Sequence, residues 1–131
     1  MPRSLAPIVL ALLHIGSVNS AEIWLARASD KTPLLYVVIE GEIRPGDFGR
    51  FDRVLREDGP LIVATYVYSP GGDVREAMKI GGLITALQLP TRGPVPFFPP
   101  DASDDEPIPQ CRDPAPRIES NCVCYSSCFL V

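Results

Sequence analysis

Two short stretches hold the residue types needed to attack a carbonyl and to stabilise the charge that develops. The first is Ser69-Pro70-Gly71-Gly72-Asp73-Val74, which follows the apolar run Tyr66-Val67-Tyr68. Adjacent glycines accept positive φ and let a ligand approach the peptide plane, and N–H groups at a strand-to-helix turn favour negative charge. An oxyanion is the natural guest. The second is Cys122-Val123-Cys124-Tyr125-Ser126-Ser127-Cys128-Phe129-Leu130-Val131, a turn of small residues leading into an apolar run, with the local form of a nucleophile turn. Ser126 and Ser127 equally suit the N-cap of a helix. A serine hydroxyl is a poor nucleophile until a base takes its proton.

The base is the weak point. The single histidine, His14, lies near the N-terminus in a stretch that reads as a removable leader. Arg3 supplies a positive start, Leu5 to Ile15 an apolar centre, and Val18-Asn19-Ser20 places suitable residues at the −3 and −1 positions of a cleavage site. Residues 1–20 therefore read as a secretory signal peptide, too short in its apolar part to span a bilayer. Cleavage removes His14 and leaves Lys31 and Lys79 as the only lysines, Lys79 reading as a solvated residue on a helix surface.

About 110 residues then remain, enough for one small domain with a modest core. The formal net charge of −4 argues against nucleic acid or an anionic membrane as partner. An exported, periplasmic or secreted location follows from the leader, and the four cysteines, Cys111, Cys122, Cys124 and Cys128, then read as disulfide partners. Their spacing leaves the three pairings open; a Cys111–Cys122 bridge would close the loop between them. No C-x-x-C pair is present and no histidine survives cleavage, so neither a metal nor any cofactor is expected.

The elements that position the two turns form two βα units over residues 34–92. Leu34 to Ile39 and Leu61 to Tyr68 are continuous apolar, β-branched runs of the kind buried on both faces of a parallel sheet. Between them Asp47 can cap a helix whose apolar stripe is Phe48, Phe51, Val54 and Leu55, stopped by Asp58-Gly59-Pro60. Strand, helix and strand at this spacing imply a crossover joining parallel strands. After the glycine turn, Asp73 and Glu76 resemble a capping box, and Val74, Ala77, Met78, Gly81, Ile84 and Leu87 share a face. Gly81-Gly82 implies close packing of that helix on the sheet. With only two strands, the sheet would have bare edges and the chain poor stability. Residues 93–121, Pro-rich and acidic around Asp101 to Glu106, read as an extended surface loop that interrupts the domain.

The ordered pair of motifs, Ser69-Pro70-Gly71-Gly72-Asp73-Val74 with Ile80-Gly81-Gly82-Leu83-Ile84 and a later Cys124-Tyr125-Ser126-Ser127-Cys128-Phe129-Leu130-Val131, resembles the proteolytic subunit of the Clp protease and its exported relatives. These belong to the ClpP/crotonase superfamily, and the similarity covers roughly residues 34–131. It implies an α/β domain, here a partial ClpP/crotonase-like fold over 21–131, with residues 122–131 as the start of the nucleophile helix. It implies oxyanion donors at Gly71 and Gly72, a nucleophile at Ser126 with Ser127 as the alternative, a peptide or protein substrate, and assembly into homo-oligomers. In the family the base is a histidine or lysine, the histidine lying downstream of the serine. Three readings follow: a truncated product of a longer frame, which an ending inside an apolar run favours; a non-catalytic member that keeps an anion-binding cleft; or an unrelated disulfide-stapled secreted module that binds a peptide or anion.

Overall fold

The computed structural model describes residues 19–94, 96–97, 110–111, 114–118, 122–126, 128 and 131. Most of the leader, Ser127 and the acidic run 101–106 lie outside these residues. A four-stranded mixed sheet carries two helices, in the order β1 (Glu22–Arg27), β2 (Leu35–Glu40), α1 (Asp47–Asp58), β3 (Ile62–Tyr68), α2 (Val74–Ala86) and β4 (Thr91–Arg92). Spatial order follows chain order, β1-β2-β3-β4. β2, β3 and β4 are parallel, while β1 runs antiparallel to β2. Two short strands, β5 (Pro96–Phe97) and β6 (Gln110–Cys111), pair apart from this sheet.

Both βα units form where the apolar runs place them. β1 is the addition: it pairs along all of β2, from Glu22 with Glu40 to Arg27 with Leu35, and covers the edge that a two-stranded reading leaves bare. Ile23 and Leu25 pack on the helix side and Trp24 and Ala26 on the other, because both faces of the sheet are covered. Thr91 and Arg92, at the end of the second expected βα unit, form a further strand, β4, beside Thr65 and Tyr66.

The main core lies between sheet and helices, built on Val37, Ile39, Val67, Phe51, Leu55, Ala77, Ile80 and Ile84. On α2 the expected face is rotated: Ala77, Ile80, Gly81 and Ile84 are buried, whereas Val74, Met78 and Leu87 are at least half exposed. Gly81 is buried as its spacing implies, but Gly82 is exposed and a Cβ there would meet nothing within 4 Å. Helix α2 lies close to α1 rather than needing both glycines for contact with the sheet.

The opposite face carries Val38, Ala64, Tyr66 and Tyr68 under the Cys111–Cys122 bridge. Tyr66 sits between Tyr36 and Tyr68, with ring centroids 4.9 and 6.2 Å away. Part of the segment read as an extended surface loop is docked here. Buried Glu40 accepts hydrogen bonds from Trp24 Nε1 (3.1 Å), Arg117 N (2.8 Å) and Ile118 N (2.7 Å), Tyr68 donates its hydroxyl proton to Pro114 O (2.7 Å), and Arg117 stacks over the Trp24 ring.

Candidate functional site: the glycine turn and Ser126

Strand β3 ends at Tyr68 and α2 begins at Val74, so five residues must reverse the chain. Ser69, fully buried, starts the turn: its Oγ lies 3.1 Å from both Gly71 N and Gly71 O, accepting from the first and donating to the second. This is the local side-chain-to-backbone bonding that serine offers a turn. Gly71 and Gly72 follow at φ +112° and +133°, in territory that L side chains rarely occupy.

Each glycine faces a different neighbour. Gly72 is paired with Ile43 by Ile43 N to Gly71 O and Asp73 N to Ile43 O, both 2.8 Å. A Cβ at Gly72 would lie 2.1 Å from Ile43 O. Gly71 faces the second turn, and a Cβ there would lie 2.8 Å from Ser126 Cβ, 3.1 Å from Tyr125 O and 3.4 Å from Ser126 Oγ. The two stretches singled out by residue type, far apart in the chain, therefore touch.

The second turn is held from both ends. Ser69 N donates to Val123 O (2.8 Å) and Tyr125 N donates to Ser69 O (3.0 Å), which lays residues 123–125 alongside the end of β3 in parallel. A disulfide joins Cys124 to Cys128 across the turn. Ser126 between them is exposed and sits at φ +52°, a left-handed conformation uncommon for a residue other than glycine. Beyond it, Cys128 N bonds to Tyr125 O and Val131 N to Cys128 O, the three-residue spacing of tight turns rather than an α-helix. An open groove of about 420 Å³ flanks the disulfide, bordered by Val67, Arg92, Pro94 and Val131.

The available donors are not equivalent. Gly71 N–H is engaged by Ser69 Oγ, whereas the pairing with Ile43 uses atoms of residues 71 and 73 and leaves the Gly72 N–H without a partner among the described residues. Ser69, part of the motif but given no role of its own by it, organises the turn; a serine at the head of a Pro-Gly-Gly turn is the signal that marks it.

Around this site the acidic residues serve the framework. Asp73 Oδ1 accepts from Glu76 N (2.8 Å), one half of the expected capping box. The other half is absent, because the Glu76 carboxylate turns to α1 and accepts from Gly46 N (3.1 Å) and Phe48 N (3.0 Å). Lys79 Nζ lies 2.8 Å from Glu76 Oε1; this bond, followed by that from the Phe48 amide, holds the Glu76 carboxyl below the ordinary glutamate range. Lys79 is thus an ion-pair partner of Glu76. Asp47, expected to cap α1, is its first helical residue and accepts from upstream amides instead, Arg44 N (2.8 Å) and Ala21 N (3.2 Å). The capping duty falls to Glu76.

The cysteine pairing left open by the sequence is Cys111–Cys122 and Cys124–Cys128. Two disulfides point to an oxidising compartment. Among the described residues no helix is long and apolar enough to cross a membrane. Comparison with protein-family models, with curated proteins and with solved structures finds no match to this chain.

Proposed function

We propose that the chain is part of an exported serine hydrolase or peptidase of ClpP/crotonase-like type, with Ser126 as nucleophile and the Ser69-Pro70-Gly71-Gly72 turn as oxyanion site. The observation that carries this reading is the contact between Gly71 and Ser126, in which the exposed serine is presented at positive φ against the glycine turn. Ser126 Oγ would attack an acyl carbonyl of a peptide substrate, and the Gly72 N–H is the donor free to meet the developing oxyanion. One such donor is typically worth about 3 kcal/mol of transition-state stabilisation. The general base is not assigned: no histidine stands among the described residues, and Lys79 is committed to Glu76.

A fluorophosphonate tests the nucleophile directly, since Oγ forms a bond to phosphorus as fluoride leaves and the serine proton passes to solvent. Peptide mapping of residues 21–131 is expected to show Ser126 labelled well ahead of exposed Ser29, with the signal lost in Ser126→Ala. Equal labelling of Ser126 and Ser29 would reject the assignment, and label surviving the substitution at Ser127 would move the role there. The second reading is a non-catalytic member that binds peptide or anion at the same turn; the Gly71 amide being closed off by Ser69 disfavours catalysis by leaving one of the two expected oxyanion donors, the Gly72 N–H. It expects retained peptide with no hydrolysis product.

A further inference from the structure

The −3/−1 pattern of the leader puts the cleaved bond between Ser20 and Ala21. Among the described residues burial begins at the same bond: Asn19 and Ser20 are exposed, while Ala21 is fully buried and packs in the main core. The Ala21 N–H points at Oδ2 of Asp47, 3.2 Å away, and Asp47 is itself fully buried. The Arg50 guanidinium bonds both to Asp47 Oδ1 and to Ala21 O, so backbone on both sides of the Ala21 Cα is gripped.

We propose that leader removal converts this contact into an ion pair, the new α-ammonium of Ala21 docking on Asp47, so that processing itself tightens the start of α1 and the glycine turn. Hydrolysis adds water across the Ser20–Ala21 bond, leaving a carboxylate on the leader and an amine on Ala21. That amine takes a proton at neutral pH, since α-amines titrate near 8. A neutral amide donor thereby becomes a cation facing a buried carboxylate, and charge-assisted hydrogen bonds are the stronger kind.

The charges around the new group are accounted for. Asp47 and Arg50 face it from α1, and Arg44, whose amide shares Asp47 Oδ2, is paired with Glu42. Neighbouring Glu22 pairs with Arg117. Asp47 is separated by a few residues from Ile43, which holds Gly72, so the ammonium lies at one end of a continuous run of contacts ending at the turn. This inference is independent of the hydrolase assignment.

The test compares Ala21–Val131 bearing a free α-amine, the same chain Nα-acetylated, and a chain beginning at Asn19, by urea denaturation with disulfides intact. At pH 6 the free-amine chain is expected to have a folding equilibrium constant on the order of tenfold above the other two, the equivalent of one pKa unit gained by the amine from its charge-assisted bond. The gap closes by pH 10, where the amine is neutral, and is absent in Asp47→Asn. Equal stability of the free and acetylated chains at pH 6, or a gap that persists at pH 10, would overturn the proposal even if Asp47→Asn does not fold. N-terminal sequencing of the exported protein must find Ala21 first; any other start overturns it too.

Discussion

Replacing Gly72 by alanine is the sharpest test of how the turn is built. The new Cβ would sit 2.1 Å from Ile43 O, 2.8 Å from Ile43 N and 2.9 Å from Ile43 C, all backbone atoms with no rotamer to relieve the overlap. The Gly72–Ile43 pairing must open, and with it the bonds Ile43 N to Gly71 O and Asp73 N to Ile43 O. Each such bond contributes about 1 kcal/mol net. Alanine held at φ +133° adds strain of about 1–3 kcal/mol. The expected loss is therefore about 3–5 kcal/mol, a large share of the roughly 5–15 kcal/mol that holds a small domain folded. Displacing Asp73 also loosens the cap on Glu76 N, so the start of α2 should fray with the turn. Urea denaturation of residues 21–131, oxidised, measures the loss, and amide exchange at Ile43 and Asp73 locates it. Gly82→Ala is the matched control: its Cβ meets nothing within 4 Å, and the same change should stabilise by about 0.5–1 kcal/mol through helix propensity. A Gly72→Ala loss under about 1 kcal/mol, or one no larger than the effect at Gly82, would refute the reasoning.

Gly71→Ala should push the Ser126 turn aside and abolish Ser126-selective fluorophosphonate labelling; undiminished labelling would mean that Gly71 and Ser126 do not meet in solution. Because the folded-state carboxyl of Glu76 titrates below its ordinary value of 4.5, its contribution is full above that value and is lost as pH falls through the folded one. Glu76→Gln should flatten this acid-side dependence of the urea midpoint, and a variant curve parallel to the parent below pH 4.5 would contradict it. Glu40→Ala strands the donors Trp24 Nε1, Arg117 N and Ile118 N and should cost about 3 kcal/mol, with faster proteolysis near Arg117; unchanged cleavage there would show that the segment is held by other contacts. Mild reduction should open Cys124–Cys128 first, since Cys124 is only half-buried whereas Cys111 and Cys122 are each 8 % exposed. Alkylation and peptide mapping would reject that order if both bridges opened together.

The parts of the fold that were legible in the sequence are those that local pattern dictates. Continuous apolar runs at 34–39 and 61–68 became β2 and β3, and the stripe with buried Phe51 and Leu55 became α1. β1 was missed because it is short, charged at both ends, and apolar toward both covered faces, so it shows no alternation to detect. Local motifs offer Glu76 and Asp47 no partner other than the nearest helix start. Their real partners lie 28 and 26 residues away for Phe48 and Ala21, and only the fold brings them together. For the same reason Glu40, a strand-end glutamate in sequence, becomes the anchor for residues 77 and 78 positions later.

The glycine pair divides into two unlike requirements, and this bears on whether the site is used. Gly72 is demanded by Ile43, a contact inside the framework that any folded form of this chain must keep. Gly71 is demanded chiefly by the Ser126 turn, which is exposed, closed by its own disulfide and hydrogen-bonded back to Ser69. A turn needed only for reversal between β3 and α2 would tolerate a less crowded arrangement, with the serine rotated away into solvent. Instead the chain uses Ser69 backbone bonds, a disulfide between residues four apart and a left-handed Ser126 to bring a hydroxyl against a glycine at positive φ. Strained backbone of this kind persists where the surroundings over-determine it, and it clusters at sites that bind or react. The close packing of Ser126 on Gly71 is therefore the feature on which the proposed use of this turn by a ligand or substrate rests.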